Sequence, residues 1–319
     1  GGRLQFVAPD NTVEWDFIYS SLDGETHHDA ELLPNGNIIA MVWKRVPTAE
    51  AVEAGFMLED DIFPESIIEI NPANNEIVWE WHSWDHLIQD HDASKDNYGI
   101  VEDHPERIDI NYVPKSGTLA DVKGDVMHAN AIAYDEANDV ILLSVNFYSE
   151  VWAIDHSTST EEASGSIGGN YAKGGDLIYR FGNPETYGNT AGNRLFHNNH
   201  FPNILKGIDQ GKLLIYSNGN GLDQSTVYEL ELPSTYDLKA NTNNELKVTW
   251  SFTDPDLYSP KVSGAVTLPN GNILITQGNF GFWEVTREKE VVWKCNIQGF
   301  LWRGYHYAKD APEIQALGL

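Results

Sequence analysis

At 319 residues, 41% of them hydrophobic, the chain is long for one ordinary domain, yet it can bury a sizeable core, and repeat folds of this length form a single unit. Its 48 acidic against 20 basic residues leave a net charge of −28, a surface that suits salty surroundings and repels nucleic acid and anionic lipid. No stretch approaches the roughly 18 apolar residues that a membrane-spanning helix needs, and the single cysteine, Cys295, excludes an internal disulfide and a cysteine-based zinc site.

In chain order, the opening Gly1-Gly2-Arg3 is expected to be a trimmed end from which any targeting segment has been removed. Strands are expected around Phe6 and at Val13-Glu14-Trp15. Next comes Leu33-Pro34-Asn35-Gly36-Asn37-Ile38, whose Asn-Gly between apolar runs predicts a tight β-hairpin. Residues 67–70 and 77–81 predict a second hairpin, rich in tryptophan. Three further units repeat this pair of hairpins. Residues 133–139 lead into 140–143, followed by 151–155 with 177–180. Residues 205–211 lead into 213–216, followed by 228–230 with 248–250. Leu268-Pro269-Asn270-Gly271-Asn272-Ile273 repeats the first turn, followed by 283–285 with 290–293.

Two hairpins per unit make a four-stranded blade, and repeated blades close into a β-propeller. A fifth unit is expected from the N-terminal strands joined to Tyr305-His306-Tyr307, closing the ring. The expectation is therefore an all-β, single-domain propeller over residues 1–319 with five or six blades. Helix is expected only at 48–55 and in the tail from 310. The polar, irregular stretch at about 86–127 predicts a lid or rim loop. Cys295, in the apolar run 291–295, is expected to be a packed core thiol.

Aligning the units by their inner hairpins puts His28, His128, His200 and Gly264 at the opening of the first strands. First strands line a propeller's channel, so three imidazoles are expected to converge there. Imidazole suits nucleophile, proton-transfer and metal-ligand roles near neutral pH. Seven residues beyond Asn37, Asp139, Gly211 and Asn272 stand Lys44, Asn146, Asn218 and Asn279, candidates to border the same cavity. Arg303 and His306 flank the expected closing strand, and His197 neighbours the central position. Strand alternation would turn His27 to the face opposite His28. His82, His86, His91, His104 and His156 are expected to be solvated, with His91 and His104 a weaker candidate metal site. Carboxylate-rich loops leave structural Ca2+ or another divalent metal open. For an anionic substrate, Lys44, Arg45, Arg107 and Arg303 are the basic residues expected nearest the channel mouth.

The segment from His27 to Asn37, His27-His28-Asp29-Ala30-Glu31-Leu32-Leu33-Pro34-Asn35-Gly36-Asn37, resembles the opening blade of the arylsulfotransferase family. His128-Ala129-Asn130-Ala131-Ile132 is similar to its H-x-N-[SA]-I strand. Phe196-His197-Asn198-Asn199-His200, followed by Ser217-Asn218-Gly219, resembles its Q-H strand and N-G hairpin. Ser263-Gly264-Ala265 and Arg303-Gly304-Tyr305-His306-Tyr307 also fit, so the resemblance spans nearly the whole chain. It implies a periplasmic or secreted propeller enzyme that moves a sulfuryl group from an aryl sulfate to a phenol, with no cofactor required. A transiently sulfated histidine is implied at His200, with His128 and His28 binding sulfuryl oxygens or moving protons. Where the family's enzymes carry an arginine after the H-x-N strand, this chain has Asn146, and Asn199 replaces the glutamine before the nucleophile. Arg303, Lys44 or a bound metal would then supply the missing cation. Two other readings stand beside this one. In the first, a metal-dependent lyase or hydrolase uses His28, His128 and His200 as ligands. In the second, the propeller binds without catalysis.

Overall fold

Successive side chains of a β-strand leave on opposite faces, so a strand apolar at every position must be covered on both sides. The second strand of each unit is of this kind, and it dictates how the sheets stack. A computed structural model of the chain describes residues 1–112 and 124–318. The first elements are a hairpin of β1 (Arg3–Val7) and β2 (Val13–Ile18). Sheet I follows, with β3 (Gly24–Leu32), β4 (Ile38–Lys44), β5 (Glu65–Asn71) and β6 (Glu76–His82). A short parallel pair joins β7 (Leu87–Ile88) to β8 (Ile108–Asp109). Sheet II holds β9 (Ala129–Asp135), β10 (Val140–Val145), β11 (Glu150–Asp155) and β12 (Tyr179–Phe181). Sheet III holds β13 (Asn199–Ile204), β14 (Lys212–Ser217), β15 (Thr226–Glu231) and β16 (Lys247–Phe252). Sheet IV holds β17 (Gly264–Thr267), β18 (Ile273–Gln277), β19 (Gly281–Val285) and β20 (Val291–Asn296). Each is an antiparallel meander, with every paired hairpin as the sequence predicts.

Alternation then assigns the cores. On β10, Ile141, Leu143 and Val145 pack with Ile39 and Met41 of sheet I. The intervening Val140 and Leu142 pack with Leu213 and Ile215 of sheet III. Leu214 and Tyr216 meet Ile273 and Ile275 of sheet IV. The result is an all-β, propeller-like stack in which the first strands of successive sheets are neighbours. The Asn-Gly turns repeat in detail. Gly36 and Gly271 adopt φ of 86° and 85°, and Asn37 and Asn272 each donate to a third-strand glutamate, Glu69 and Glu284.

Three expectations change. The N-terminal hairpin packs Phe17 against Ala40, Val42, Ile68 and Ile70 of sheet I, while Tyr305-His306-Tyr307 forms no strand. The chain after β20 instead turns inward, with Leu301 N–H donating to Gly278 O and Ser263 N–H to Trp302 O. No closed ring forms among the described residues. Sheet IV therefore leaves β20 uncovered, so Val292 and Trp293 are exposed and Cys295 is half-buried rather than a core thiol. The stretch 83–112 is a rim anchored in the body of the protein; the 113–123 part of the expected lid lies outside the described residues. His86 there is fully buried, bonded to Asp176 and Ala163 O, and Tyr148 donates to Asp109 O. His156 is also mostly buried, between Glu69 and Asp139.

Helices α1 (Thr48–Glu53) and, at the tail, a five-residue turn at Pro312–Ala316 fall where the sequence places them. One more, Thr160–Ala163, starts at a capping box of Ser159 and Glu162.

Candidate active site

The inner edges of the sheets carry the histidines on distorted backbone. In β3 the pairing passes from Thr26↔Val42 to Ala30↔Ala40, so His27, His28 and Asp29 face the single residue Met41. This bulge puts His28 at φ 50° and breaks the alternation that would have turned His27 away. The two imidazoles instead meet, Nδ1 to Nδ1, at 2.8 Å. His128 (φ 51°) stands immediately before β9, and Phe201 (φ 55°), Val262 (φ 51°) and Ser263 (φ 89°) occupy the edges of sheets III and IV. Left-handed backbone at residues other than glycine costs on the order of 1–3 kcal/mol each and persists where surrounding structure enforces it, commonly at functional sites.

His28 and His128 meet edge to face with ring centroids 4.8 Å apart, and Trp302 stands 5.3 Å from His28. The His128 ring stacks on Phe147, and Asp125 holds it at Nδ1. Its Nε2 has no hydrogen-bond partner among the described residues, and the side chain is 30% exposed. Burial disfavours charge on His128, but the hydrogen bond and charge of Asp125, with Glu65 beyond, outweigh it and raise its pKa.

His200 lies deeper. Its Nδ1 is 2.6 Å from Asn218 Oδ1, and its Nε2 accepts the Val262 N–H at 3.1 Å. Burial, reinforced by the neighbouring His128, His28 and Arg303, pushes it down to about 3, so it is neutral, with both nitrogens engaged. Asn218 in turn donates to Ser259 O and Val262 O.

Arg303 reaches the centre as well. Its Nη1 is 2.9 Å from Asp29 Oδ2, its guanidinium lies 4.4 Å over the Phe201 ring, and its side chain is 13% exposed. The Nε and Nη2 donors remain free of partners among the described residues. Phe201 also explains the glycine at the fourth position, since a Cβ on Gly264 would stand 2.5 Å from its ring.

Other expected residues lie elsewhere. Lys44 turns away from the centre to Glu80 (2.7 Å) and His82 on β6, because its strand end faces the outer strands. Asn146 is closed into an amide cluster between sheets II and III, donating to Asn199 O and accepting from Asn198. Asn199 donates back to Ser144 and Glu150 O. The two positions that depart from the family pattern are thus inter-sheet struts. His197 is half-buried, with no hydrogen bond to its ring among the described residues, and His306 is exposed. Arg45 pairs with Asp61, and Arg107 lies on the rim beside Asp176. Among the described residues no three His, Cys, Asp or Glu side chains are placed to hold a metal ion, at His91 and His104 or at the centre.

A cavity of about 1450 Å³ opens toward the hairpin turns, lined by Asp29, Glu31, Phe201, Lys206, Arg303 and Tyr305 among others; the three histidines do not line it. Burial, with Asp29 alongside, pushes the Glu31 carboxyl up to about 7.

Sequence reasoning missed Asp125, Glu65 and the role of His27. Asp125, three residues before His128 at a strand entrance, was legible as spacing. Glu65 was not, because only sheet packing brings it to the histidines. Lys261, beside Val262, has no ion pair among the described residues, and its ammonium lies 5.4 Å from the Phe300 ring.

The chain matches the family Arylsulfotransferase (ASST) over residues 17–299. No curated protein matches it. Among solved structures it is similar to BamB from Moraxella catarrhalis, at 10% identity over 95% of this chain and 82% of that one, with a TM-score of 0.35. With the family's pattern running through nearly all of its sheets, this chain belongs to the arylsulfotransferase family.

Proposed function

We propose that this protein transfers a sulfuryl group from an aryl sulfate to a phenolic acceptor, and that His128 is the group that carries it. The observation that supports this is the Asp125–His128 pair, whose Nε2 alone among the ring nitrogens of His128 and His200 is open. The lone pair of Nε2 attacks sulfur, the S–N bond forms, the S–O bond to the aryl group breaks, and the phenolate departs. A second phenol then attacks sulfur, the S–N bond breaks, and His128 is restored. Asp125 holds the Nδ1–H tautomer and offsets the positive charge that develops on the ring, as a carboxylate does for histidine in a catalytic triad. The free donors of Arg303 supply cationic hydrogen bonds to sulfuryl oxygens, whose charge is spread in an in-line transition state. His200, tied at both nitrogens, is a positioning residue that braces Val262.

Incubation with an aryl sulfate alone, followed by intact-mass measurement, tests the assignment. Wild type and His200→Ala should gain one sulfuryl group and His128→Ala none. A labelled His128→Ala beside an unlabelled His200→Ala would move the nucleophile to His200. No turnover of any aryl sulfate, with or without phenol, would leave the family fold serving a binding role.

A further inference from the structure

His27 and Glu65 have no part in the reaction above, yet both are buried within reach of it. Glu65, on β5, is 1% exposed, and its Oε1 accepts from Ala129 N–H at 2.8 Å and Trp43 Nε1–H at 3.2 Å. Its Oε2 lies 2.9 Å from His27 Nε2 without hydrogen-bond geometry, so both atoms are buried with no hydrogen bond among the described residues. Trp43 stacks on the His27 ring at 4.1 Å, nearly parallel, which leaves Nδ1 facing His28 Nδ1 at 2.8 Å. The far nitrogen of His28, Nε2, has no partner among the described residues, and its ring adjoins His128. Two adjacent buried polar atoms without a hydrogen bond, continued by the His27–His28 contact toward the reacting centre, are costly unless they carry a function.

We infer that Glu65, His27 and His28 form a proton relay that serves the phenolic oxygen during sulfuryl transfer; this rests on the sulfotransfer reading of the site. In the loaded form Glu65 is a carboxylic acid, His27 carries its proton on Nδ1 and His28 on Nε2. As the S–O bond breaks, the His28 Nε2 proton goes to the aryl oxygen. In the same step the His27 Nδ1 proton passes to His28 Nδ1 and the Glu65 proton passes to His27 Nε2. Both imidazoles end neutral, and Glu65 ends as a carboxylate. When the acceptor phenol attacks, its O–H proton enters at His28 Nε2 and the same three transfers run backwards, so the cycle closes without net change. The groups facing the relay are Asp125, His128, Glu25 and Arg303. Burial pushes His27 and His28 down to about 3 and holds Glu65 well above the usual carboxylate range, so it favours the uncharged form of each group. Glu65 is a positioning residue in this scheme, since it touches no substrate.

The test compares two donors whose leaving groups differ in their need for a proton, 4-nitrophenyl sulfate and unsubstituted phenyl sulfate. Glu65→Gln keeps the Oε1 acceptor but cannot pass a proton. It should slow phenyl sulfate by roughly 10²–10⁴-fold, the usual worth of a positioned acid–base group, and 4-nitrophenyl sulfate by a much smaller factor. Equal loss with both donors would mean a packing role and overturn the relay, as would no loss with either. Should Glu65→Gln fail to fold, a proton inventory on wild type in mixed H2O and D2O decides. Phenyl sulfate should show the curvature of more than one proton in flight, and a straight line would overturn the relay. Absence of wild-type turnover with both donors would overturn the sulfotransfer reading and the relay with it. Turnover without donor discrimination overturns the relay alone.

Discussion

Asp125 holds His128 twice: Oδ1 accepts the His128 backbone N–H at 3.0 Å, and Oδ2 takes the ring Nδ1–H. One carboxylate thus sets both the left-handed backbone at φ 51° and the ring, and leaves Nε2 as the open nitrogen.

Asp125→Asn should therefore reduce turnover by roughly 10²–10⁴-fold. The pH profile adds a sign. Asp125 raises the His128 pKa against the effect of burial, and the attacking form is neutral, so kcat/KM rises with pH through that raised value. Removing the carboxylate should move the rising limb to lower pH while lowering the plateau. A limb that stays in place in Asp125→Asn would assign it to another group.

Asn146→Arg would restore the cation that the family pattern carries, but the position is closed. Asn146 is buried, and its amide bonds tie it to Asn198 and Asn199. The variant should lose stability by about 1–3 kcal/mol from the unpaired amide partners alone. Urea denaturation reads this directly, and an unchanged midpoint with raised turnover would show that the side chain does face the substrate.

Arg180 and Glu150 form a fully buried pair, with Thr186 and the carbonyls of Pro105 and Arg107 completing the guanidinium's bonds. Truncating one partner leaves a charge in the interior, so Arg180→Ala should cost about 3–5 kcal/mol. Lys247→Ala removes a solvent-exposed pair with Glu231 and should cost less than about 1 kcal/mol. Equal denaturation midpoints for the two variants would contradict this ranking.

His156 joins Glu69 of sheet I to Asp139 of sheet II at 2.9 and 2.7 Å. Burial opposes its charge, but hydrogen bonds to the two carboxylates win and raise its pKa. A raised folded pKa stabilises fully below the unfolded value of about 6.5 and is lost as pH climbs through the folded value. Thermal midpoints of wild type and His156→Gln should thus differ most under mildly acidic conditions and converge at alkaline pH. A gap that widens with rising pH would reverse the assignment.

Gly264→Ala introduces a Cβ against the Phe201 ring, on which Arg303 rests. Overpacking of this kind costs about 1–3 kcal/mol. Because Phe201 must shift, Arg303 should loosen too, raising KM for the aryl sulfate more than it lowers kcat. Stability and KM equal to wild type would mean that Phe201 has room to move.

The repeated units were legible because their causes are local. The Asn35-Gly36 and Asn270-Gly271 turns need only the residues beside them, and strand alternation needs only the order of apolar side chains. The family pattern, spread along those strands, was legible for the same reason. Ring closure was not, since whether Tyr305-His306-Tyr307 pairs depends on where the chain goes after β20. The centre divides in the same way. His28, His128 and His200 were found by repeat position, but which nitrogen is open is decided by partners from other elements: Asn218 and Val262 close His200, and Asp125 orients His128. His27 was expected on the far face because alternation holds in a regular strand; the bulge at His28 overrides it. Sequence by itself determined the sheets and the identity of the imidazoles. Only the tertiary structure decided their partners, because burial and hydrogen bonds from residues distant in the chain set which ring nitrogens are engaged and which stay open among the described residues.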